Sequence, residues 1–330
     1  MAANRSKIVL HPAFVRARDD LARALQTQID GQLIYICGLS GSGKSEIRYA
    51  NMRSFAGDPT MWGAGELPVI SVRAAPVNRS YFNTKEFISR MYLELAEPNL
   101  DWLRDRSTVD DPDRGHAFAE ERLRSQLWMA AYMKKPEHQI RTFVERTAIA
   151  RHLRSIFVEE SASLTYNFER KSACDHMVSY MVMAEEIKIS LALFGVPKMA
   201  ALWEGNAEIL RRSRFVWVDR YRLDISEDRR NFERLAVSAA SQYRFANKAL
   251  VGRALDLAYA CSAGVFGEVL AYYRRADDIR ASEGEFAITK AHLEKAVSTE
   301  QVLNTLHREA AIFDELRKPA SSKFIGQMLR

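Results

Sequence analysis

Cysteine is scarce in this chain. Cys37, Cys174 and Cys261 are the only three in 330 residues, and no two of them form a CxxC pair. An odd number of widely spaced thiols argues against a disulfide framework and against a cysteine-held zinc site. The seven histidines show no HExxH or other ligand spacing, so structural zinc has no support either. No apolar run approaches the roughly 18 residues that a membrane span needs. The opening stretch MAANRSKIVLHPAF carries a few charges, no apolar core of signal-peptide length and no clear cleavage site. These absences lead to the expectation of a cytoplasmic protein without membrane contact. No internal repeat is evident.

What the chain does have is apolar residues, 47% of its composition, enough for a sizeable core and two domains. Its formal charge is +6, with a pI near 9.2. That balance suits a polyanionic partner and suits an ordinary basic surface equally well.

Hydrophobic periodicity organises the sequence. HPAFVRARDDLARALQTQID places Phe14, Ala17, Leu21, Ala24 and Leu25 on one face of a helix, and Gly31 ends it. QLIYIC then reads as a short buried strand, and LPVISVRA (67–74) as a second, bounded by Pro68 and Pro76. NTKEFISRMYLELA reads as a helix with Asn83 as its cap. Residues 97–116 carry turn and polar residues without periodicity and read as a loop or insertion. Helical character resumes from Ala117, breaks near KKPEH, and continues through QIRTFVERTAIARHL. RSIFVEESASL follows as a strand, ERKSACDHMVSYMVMAEEIK as a helix, and ISLALFGV (189–196) as a strand. From about 228 the periodicity is helical almost to the end. Alternating strands and helices followed by helices alone predict an α/β fold: a parallel sheet flanked by helices, then a separate helical domain.

Between the first strand and the next helix stands GLSGSGKS, which matches G-x-x-x-x-G-K-[ST] through Gly38, Gly43, Lys44 and Ser45. Glycines let such a turn fold tightly, so that successive N–H groups face a polyphosphate, and the helix that follows adds its positive end. The cofactors expected are ATP and Mg²⁺. Gly38, Ser40, Gly41, Ser42, Gly43, Lys44, Ser45 and Glu46 are the expected nucleotide contacts. Lys44 reaches the β- and γ-phosphates, and the Ser45 hydroxyl ligates the metal.

A phosphate loop that supports hydrolysis needs an acid at the end of a neighbouring strand. SIFVEE supplies two: Glu159 at the metal-side position and Glu160 where a base would polarise water. In AEILRRSRFVWVDRY, Arg211, Arg212 and Arg214 come just after a helix. A guanidinium can stabilise phosphate charge across a subunit boundary. Arg214 is the first choice for such a finger and Arg211 the second, with helix capping an alternative for one of the three.

Taken in order, GLSGSGKS, SIFVEE, LALFGVPKM and LRRSRF resemble an AAA+ ATPase, with the helical lid of that fold following. More narrowly the chain resembles the TniB/TnsC group of transposition regulators, related in function to MuB. HPAF with its amphipathic helix, LPVISVRAAPVNRSYFNTKEF, ISLALFGVPKMAALWEGNAEILRRSRF and GVFGEVLAYYRRADDIRASEGEFAITKAHLEKA carry that likeness, which spans roughly residues 10–298. It implies a helical extension at 1–30, an ATPase core at 31–226 with an insertion near 97–136, a lid at 227–298, and a C-terminal helix and tail at 299–330.

The resemblance also implies an ATP-dependent regulator that oligomerises on double-stranded DNA as a ring or helical filament. Such proteins recruit a transposase and link it to a TniQ-like target-selection protein. Phosphate contacts without base readout would come from Arg79, Lys85, Lys134 and Lys135. The sequence departs from the family pattern at four places, one of them an insertion at 97–136 longer than the family's. Glu159 stands for the common Asp, Val196 falls near an expected polar sensor, and GVFGEV opens the lid without an Arg or Lys. A slow, DNA-stimulated hydrolysis is the corresponding expectation. Two other readings use the same loop: an ATPase switch that controls a protein partner without DNA, and a small-molecule kinase.

Overall fold

The computed structural model describes residues 10–27, 29–74, 82–103, 134–166 and 172–329. Arg79, the helix expected from Ala117 and most of the 97–136 insertion lie outside these residues. The chain divides into two compact units. One is Arg18–Cys37 with Ser45–Val216; the other holds residues 10–17, 38–44 and 217–329. Among the described residues no helix is long and apolar enough to cross a membrane.

The first unit is built on a five-stranded sheet in the order β2-β3-β4-β1-β5. Its strands are β1 (Leu33–Gly38), β2 (Val69–Arg73), β3 (Ser155–Glu159), β4 (Ser190–Gly195) and β5 (Ser213–Val218). β2 with β3, β3 with β4, and β4 with β1 all pair in parallel. β1 and β4 sit inside the sheet, and every residue of both is buried. That double-sided burial is why they read as unbroken apolar runs rather than as alternating ones. β5 lies at an edge and alternates over its second half, with Val216 and Val218 buried and Phe215 and Trp217 only half-buried.

Parallel neighbours require crossovers, and helices supply them. α1 (Pro12–Gln26) precedes β1, α2 (Lys44–Ala56) follows it, and α3 (Thr84–Ala96) follows β2. α4 (Glu137–Ala150) leads into β3, α5 (Ala173–Glu186) into β4, and the short α6 (Ala207–Arg212) into β5. The sequence reading of α1 holds: Phe14, Ala17, Leu21, Ala24 and Leu25 are all buried. Asn83 caps α3 as expected, its side-chain oxygen accepting the Glu86 N–H at 3.1 Å. The second strand is shorter than the apolar run suggested, because Pro68 lacks an amide hydrogen for the ladder and the strand begins at Val69.

In the second unit helices follow β5, and those up to Lys295 surround one apolar core. The helices are α7 (Ser226–Ala240), α8 (Ala249–Arg253), α9 (Leu255–Ser262), α10 (Phe266–Ser282), α11 (Lys290–Lys295), α12 (Glu300–Arg317) and α13 (Ser322–Met328). Phe232, Leu235, Val269, Tyr272, Tyr273, Ile288 and Leu293 form its centre, joined by Ala13 from the start of α1. α12 is fastened to the segment that leaves β5. Arg220 donates from Nε and Nη2 to the two oxygens of Asp314, at 3.2 and 2.5 Å. Arg317 pairs with Asp219 at 2.7 Å, and Trp217 meets Phe313 edge-on. The charges are reciprocal: each side contributes one acid and one arginine.

The HPAF segment belongs to this unit. His11 is buried, and its Nδ1 lies 3.0 Å from the Tyr221 hydroxyl. Its ring also packs with Phe14 and Phe266. Burial, reinforced by the Arg16 cation, pushes its pKa down to about 4 from the ordinary 6.5. The folded state therefore prefers neutral His11. The stabilisation is complete above pH 6.5 and is lost as the pH falls from there toward 4. Chemical denaturation at pH 7 and pH 4.5 should show that loss, on the order of 2–3 kcal/mol. His11→Gln should remove this part of the pH dependence. An unchanged slope in the variant would contradict the assignment.

Candidate functional site

β1 ends at Gly38, the turn runs from Leu39 to Gly43, and α2 opens at Lys44. Gly41 and Gly43 have φ of 74° and 90°, the left-handed region in which a Cβ is strained. Gly38 is required by space instead: a Cβ there would stand 2.8 Å from Cβ of Val218 and 2.7 Å from Oγ of Ser42. The turn is crowded from two further sides. A Cβ on Gly43 would come within 3.3 Å of the Phe14 ring. Gly41 accepts a hydrogen bond from the Gly267 N–H at 2.9 Å, so the first turn of α10 touches the loop backbone to backbone.

The polar groups of the loop are arranged for an anion. Lys44 Nζ donates to the carbonyls of Gly38 and Leu39, at 2.8 and 2.7 Å, which folds the ammonium back over the turn. Ser42 is 5% exposed, and its Oγ has no hydrogen-bond partner among the described residues. A buried hydroxyl left in that state costs about 1–3 kcal/mol. Ser40 is exposed on the rim, Ser45 is exposed in the first turn of α2, and Glu46 follows it, half-buried.

The sheet order places the expected acids. β1 and β3 flank β4 and run the same way, with Cys37 level with Gly195 and Val158 level with Leu193. Cys37 and Glu159 therefore finish on the same edge of the sheet. Glu159 Oε1 is 2.5 Å from Arg48 Nη1 and accepts a hydrogen bond from the Ser71 hydroxyl at 3.1 Å. Arg48 also bonds Ser71, which closes a three-membered polar network. Glu160 follows in left-handed backbone with φ of 55°, exposed, and 3.8 Å from Arg73.

Sequence reasoning missed Arg48, Ser71 and Arg73. The available signal was the Arg in GKSEIR, four residues past Lys44. Its role depends on the tertiary meeting of α2 with β3, which no local pattern reveals.

The arginine cluster separates. Arg211 and Arg212 lie inside the last turn of α6 rather than after it, because Ser213 already begins β5. Arg212 pairs with Glu185 at 2.7 Å. Arg211 and Arg214 are exposed and form no ion pair among the described residues. Tyr35 stacks on Phe215, so Arg214 sits near the N-terminal end of β1, at the other end of the strand from the loop.

Lys134 and Lys135 are exposed just before α4, and Lys85 is half-buried in the first turn of α3. A hydrogen bond from Thr84 Oγ1 to Glu137 at 3.0 Å joins the starts of these two helices, bringing the three lysines to the same end of the pair. Glu86 and Glu137 share that end, so it is not purely basic.

No protein-family model matches the chain, and no curated protein matches it in sequence. Solved structures do. The ORC2 protein of Aeropyrum pernix in its ADP form has a TM-score of 0.52 over 89% of this chain and 70% of that one, at 14% identity. The ADPNP–ADP complexes of the same protein give 0.50 over 88% and 70%, at 12% identity. The chain has the AAA+ P-loop fold: a parallel sheet flanked by helices and followed by a helical lid.

The contact between the loop and α10 can be tested by adding one carbon. A Cβ on Gly267 would lie 2.7 Å from the Gly41 oxygen and 2.8 Å from its Cα, both backbone atoms. Gly267→Ala should lower stability in urea unfolding by about 1–3 kcal/mol. Gly252→Ala is the control, since a Cβ there meets nothing within 4 Å. It should be neutral or slightly stabilising. Equal effects at the two sites would contradict the packing described.

Proposed function

We propose that the chain is an ATP-dependent, DNA-binding AAA+ regulator of transposition. It assembles on double-stranded DNA as a ring or filament and recruits a transposase, together with a TniQ-like target-selection protein. The loop at 38–44 carries the nucleotide part of this reading. It combines two left-handed glycines, an ammonium folded over the turn, and a buried serine hydroxyl that a phosphate oxygen would satisfy. The transposition part rests on the ordered sequence motifs, GLSGSGKS through LRRSRF.

Ser45 and Glu159 are the residues that would hold Mg²⁺, and the donor set fits. Magnesium is ordinarily bound by one or two carboxylates and hydroxyls together with substrate phosphates, not by an all-protein cage. When bound, it neutralises charge on the β- and γ-phosphates. The remaining work falls to this chain's own groups. Lys44 exchanges its two carbonyl acceptors for phosphate oxygens. Glu160, held only loosely by Arg73, orients and deprotonates the attacking water. Arg214, with Arg211 second, meets the phosphates of a neighbouring protomer, so turnover depends on assembly. Lys85, Lys134 and Lys135, with Arg79, take DNA phosphates without reading bases.

A second reading, an ATPase switch that acts on a protein partner without DNA, draws on α13. Phe324 and Ile325 are 50% exposed there and Met328 is 72% exposed. Duplex binding that weakens steeply with salt favours the first reading, and its absence favours the second.

ATP turnover with and without duplex DNA tests the proposal. Lys44→Ala should abolish nucleotide binding and nucleotide-dependent assembly. Glu160→Gln should still assemble while turnover falls about 100-fold or more. Unchanged turnover would remove Glu160 from the role of base. Arg214→Ala should bind ATP normally but lose at least about 100-fold in turnover. Mixing it with Glu160→Gln protomers, which still assemble, should restore part of that turnover, since each supplies what the other lacks. Failure of the mixture to recover would contradict a finger acting between protomers.

A further inference from the structure

We propose that Arg48 is a positioning residue that competes with a divalent cation for Glu159, so that ATP binding is nearly independent of magnesium while hydrolysis is limited by it. The inference rests on the loop taking ATP, and it concerns how that site is regulated.

The argument begins with burial. The Arg48 side chain is only 5% exposed. A guanidinium stays charged at any pH a protein tolerates, so it cannot be buried without a counter-ion. Glu159 is that counter-ion, at 2.5 Å through Oε1. Ser71 bonds both partners, and the guanidinium carbon stands 4.2 Å over the Tyr49 ring, so the arrangement is fixed from several sides. The negative charge of Glu159 is thereby committed to a neighbour within the same unit. Its second oxygen has no hydrogen bond among the described residues, and its side chain is 31% exposed, so it can still face a metal-bound water.

Position adds to this. Ser45 and Arg48 are three residues apart in α2, which puts them on one face of the helix, a single turn from each other. A cation taken up at the Ser45 hydroxyl would have a buried positive group as its near neighbour. It would meet a carboxylate whose charge that group already offsets. Both effects weaken the metal. Neither touches the contacts of the loop backbone and Lys44 with phosphate. Nucleotide binding, and the assembly that follows from it, would proceed on ATP itself. Metal supply would then set the pace of the hydrolysis that resets it.

The test is a fluorescence titration of the full-length chain with N-methylanthraniloyl-ATP, in EDTA and in saturating Mg²⁺. The wild-type chain should show Kd values within about threefold of each other. Arg48→Met should show at least about tenfold tightening by Mg²⁺, the scale on which a charge at this range acts on a carboxylate. Arg48→Lys keeps the charge and should keep the wild-type ratio. Adding Glu159→Gln to Arg48→Met should bring the ratio back to about threefold, because the released carboxylate is what gained the metal.

Strong magnesium dependence in the wild-type chain, or the same ratio in Arg48→Met as in wild type, would overturn the inference while leaving ATP binding intact. Absence of binding in both conditions would overturn the nucleotide reading and this inference with it. If far-UV circular dichroism shows Arg48→Met unfolded, Glu159→Gln in the wild-type background decides. It should change the ratio less than about twofold, and a larger fall would overturn the inference.

Discussion

The turn between β1 and α2 exists only because Gly38, Gly41 and Gly43 carry no side chains. Two of them hold left-handed backbone, and the third stands against Val218 with no room for a carbon. Everything proposed for function depends on that compression. It brings the carbonyls of Gly38 and Leu39 under the Lys44 ammonium, and it leaves the Ser42 hydroxyl buried without a partner. It also lets the first turn of α10 approach until Gly267 bonds Gly41. That first turn, within GVFGEV, carries no Arg or Lys, and a Cβ on Gly267 would already stand 2.7 Å from the Gly41 oxygen. The lid of this chain therefore meets its loop through backbone, and a charged side chain at Gly267 would not fit.

Several arginines elsewhere are paired with acids distant in sequence. Arg48 holds Glu159, Arg220 holds Asp314, Arg317 holds Asp219 and Arg212 holds Glu185. These pairs differ in consequence. The exposed or half-exposed ones add little stability. The Arg48 pair is buried on one side, so losing either partner strands a charge. Arg211 and Arg214 are exposed and form no ion pair among the described residues.

The order of strands and helices was legible in the sequence because β1 and β4 are apolar on both faces and the helices carry clear stripes. The loop was legible because its glycines and Lys44 act within a few residues of one another. What could not be read was whatever depends on tertiary contact. Arg48 and Glu159 meet across more than a hundred positions, with Ser71 beside them because β2 pairs with β3, and the reciprocal clasp on α12 joins residues more than ninety positions apart. Periodicity also misplaced Arg211, since a helix of six residues running directly into a strand has no turn signal between them. His11 looked like part of an ordinary helix start, and its burial is against Tyr221, 210 positions away in the chain.

The central claim is that nucleotide on this loop times an assembly on DNA. Negative-stain electron microscopy of the intact protein with Mg²⁺, duplex DNA and either a non-hydrolysable ATP analogue or ADP tests it most directly. Rings or filaments on the duplex with the analogue, and dispersed protein with ADP, are the expected result. Protein that stays monomeric on DNA at high concentration with the analogue would contradict the account.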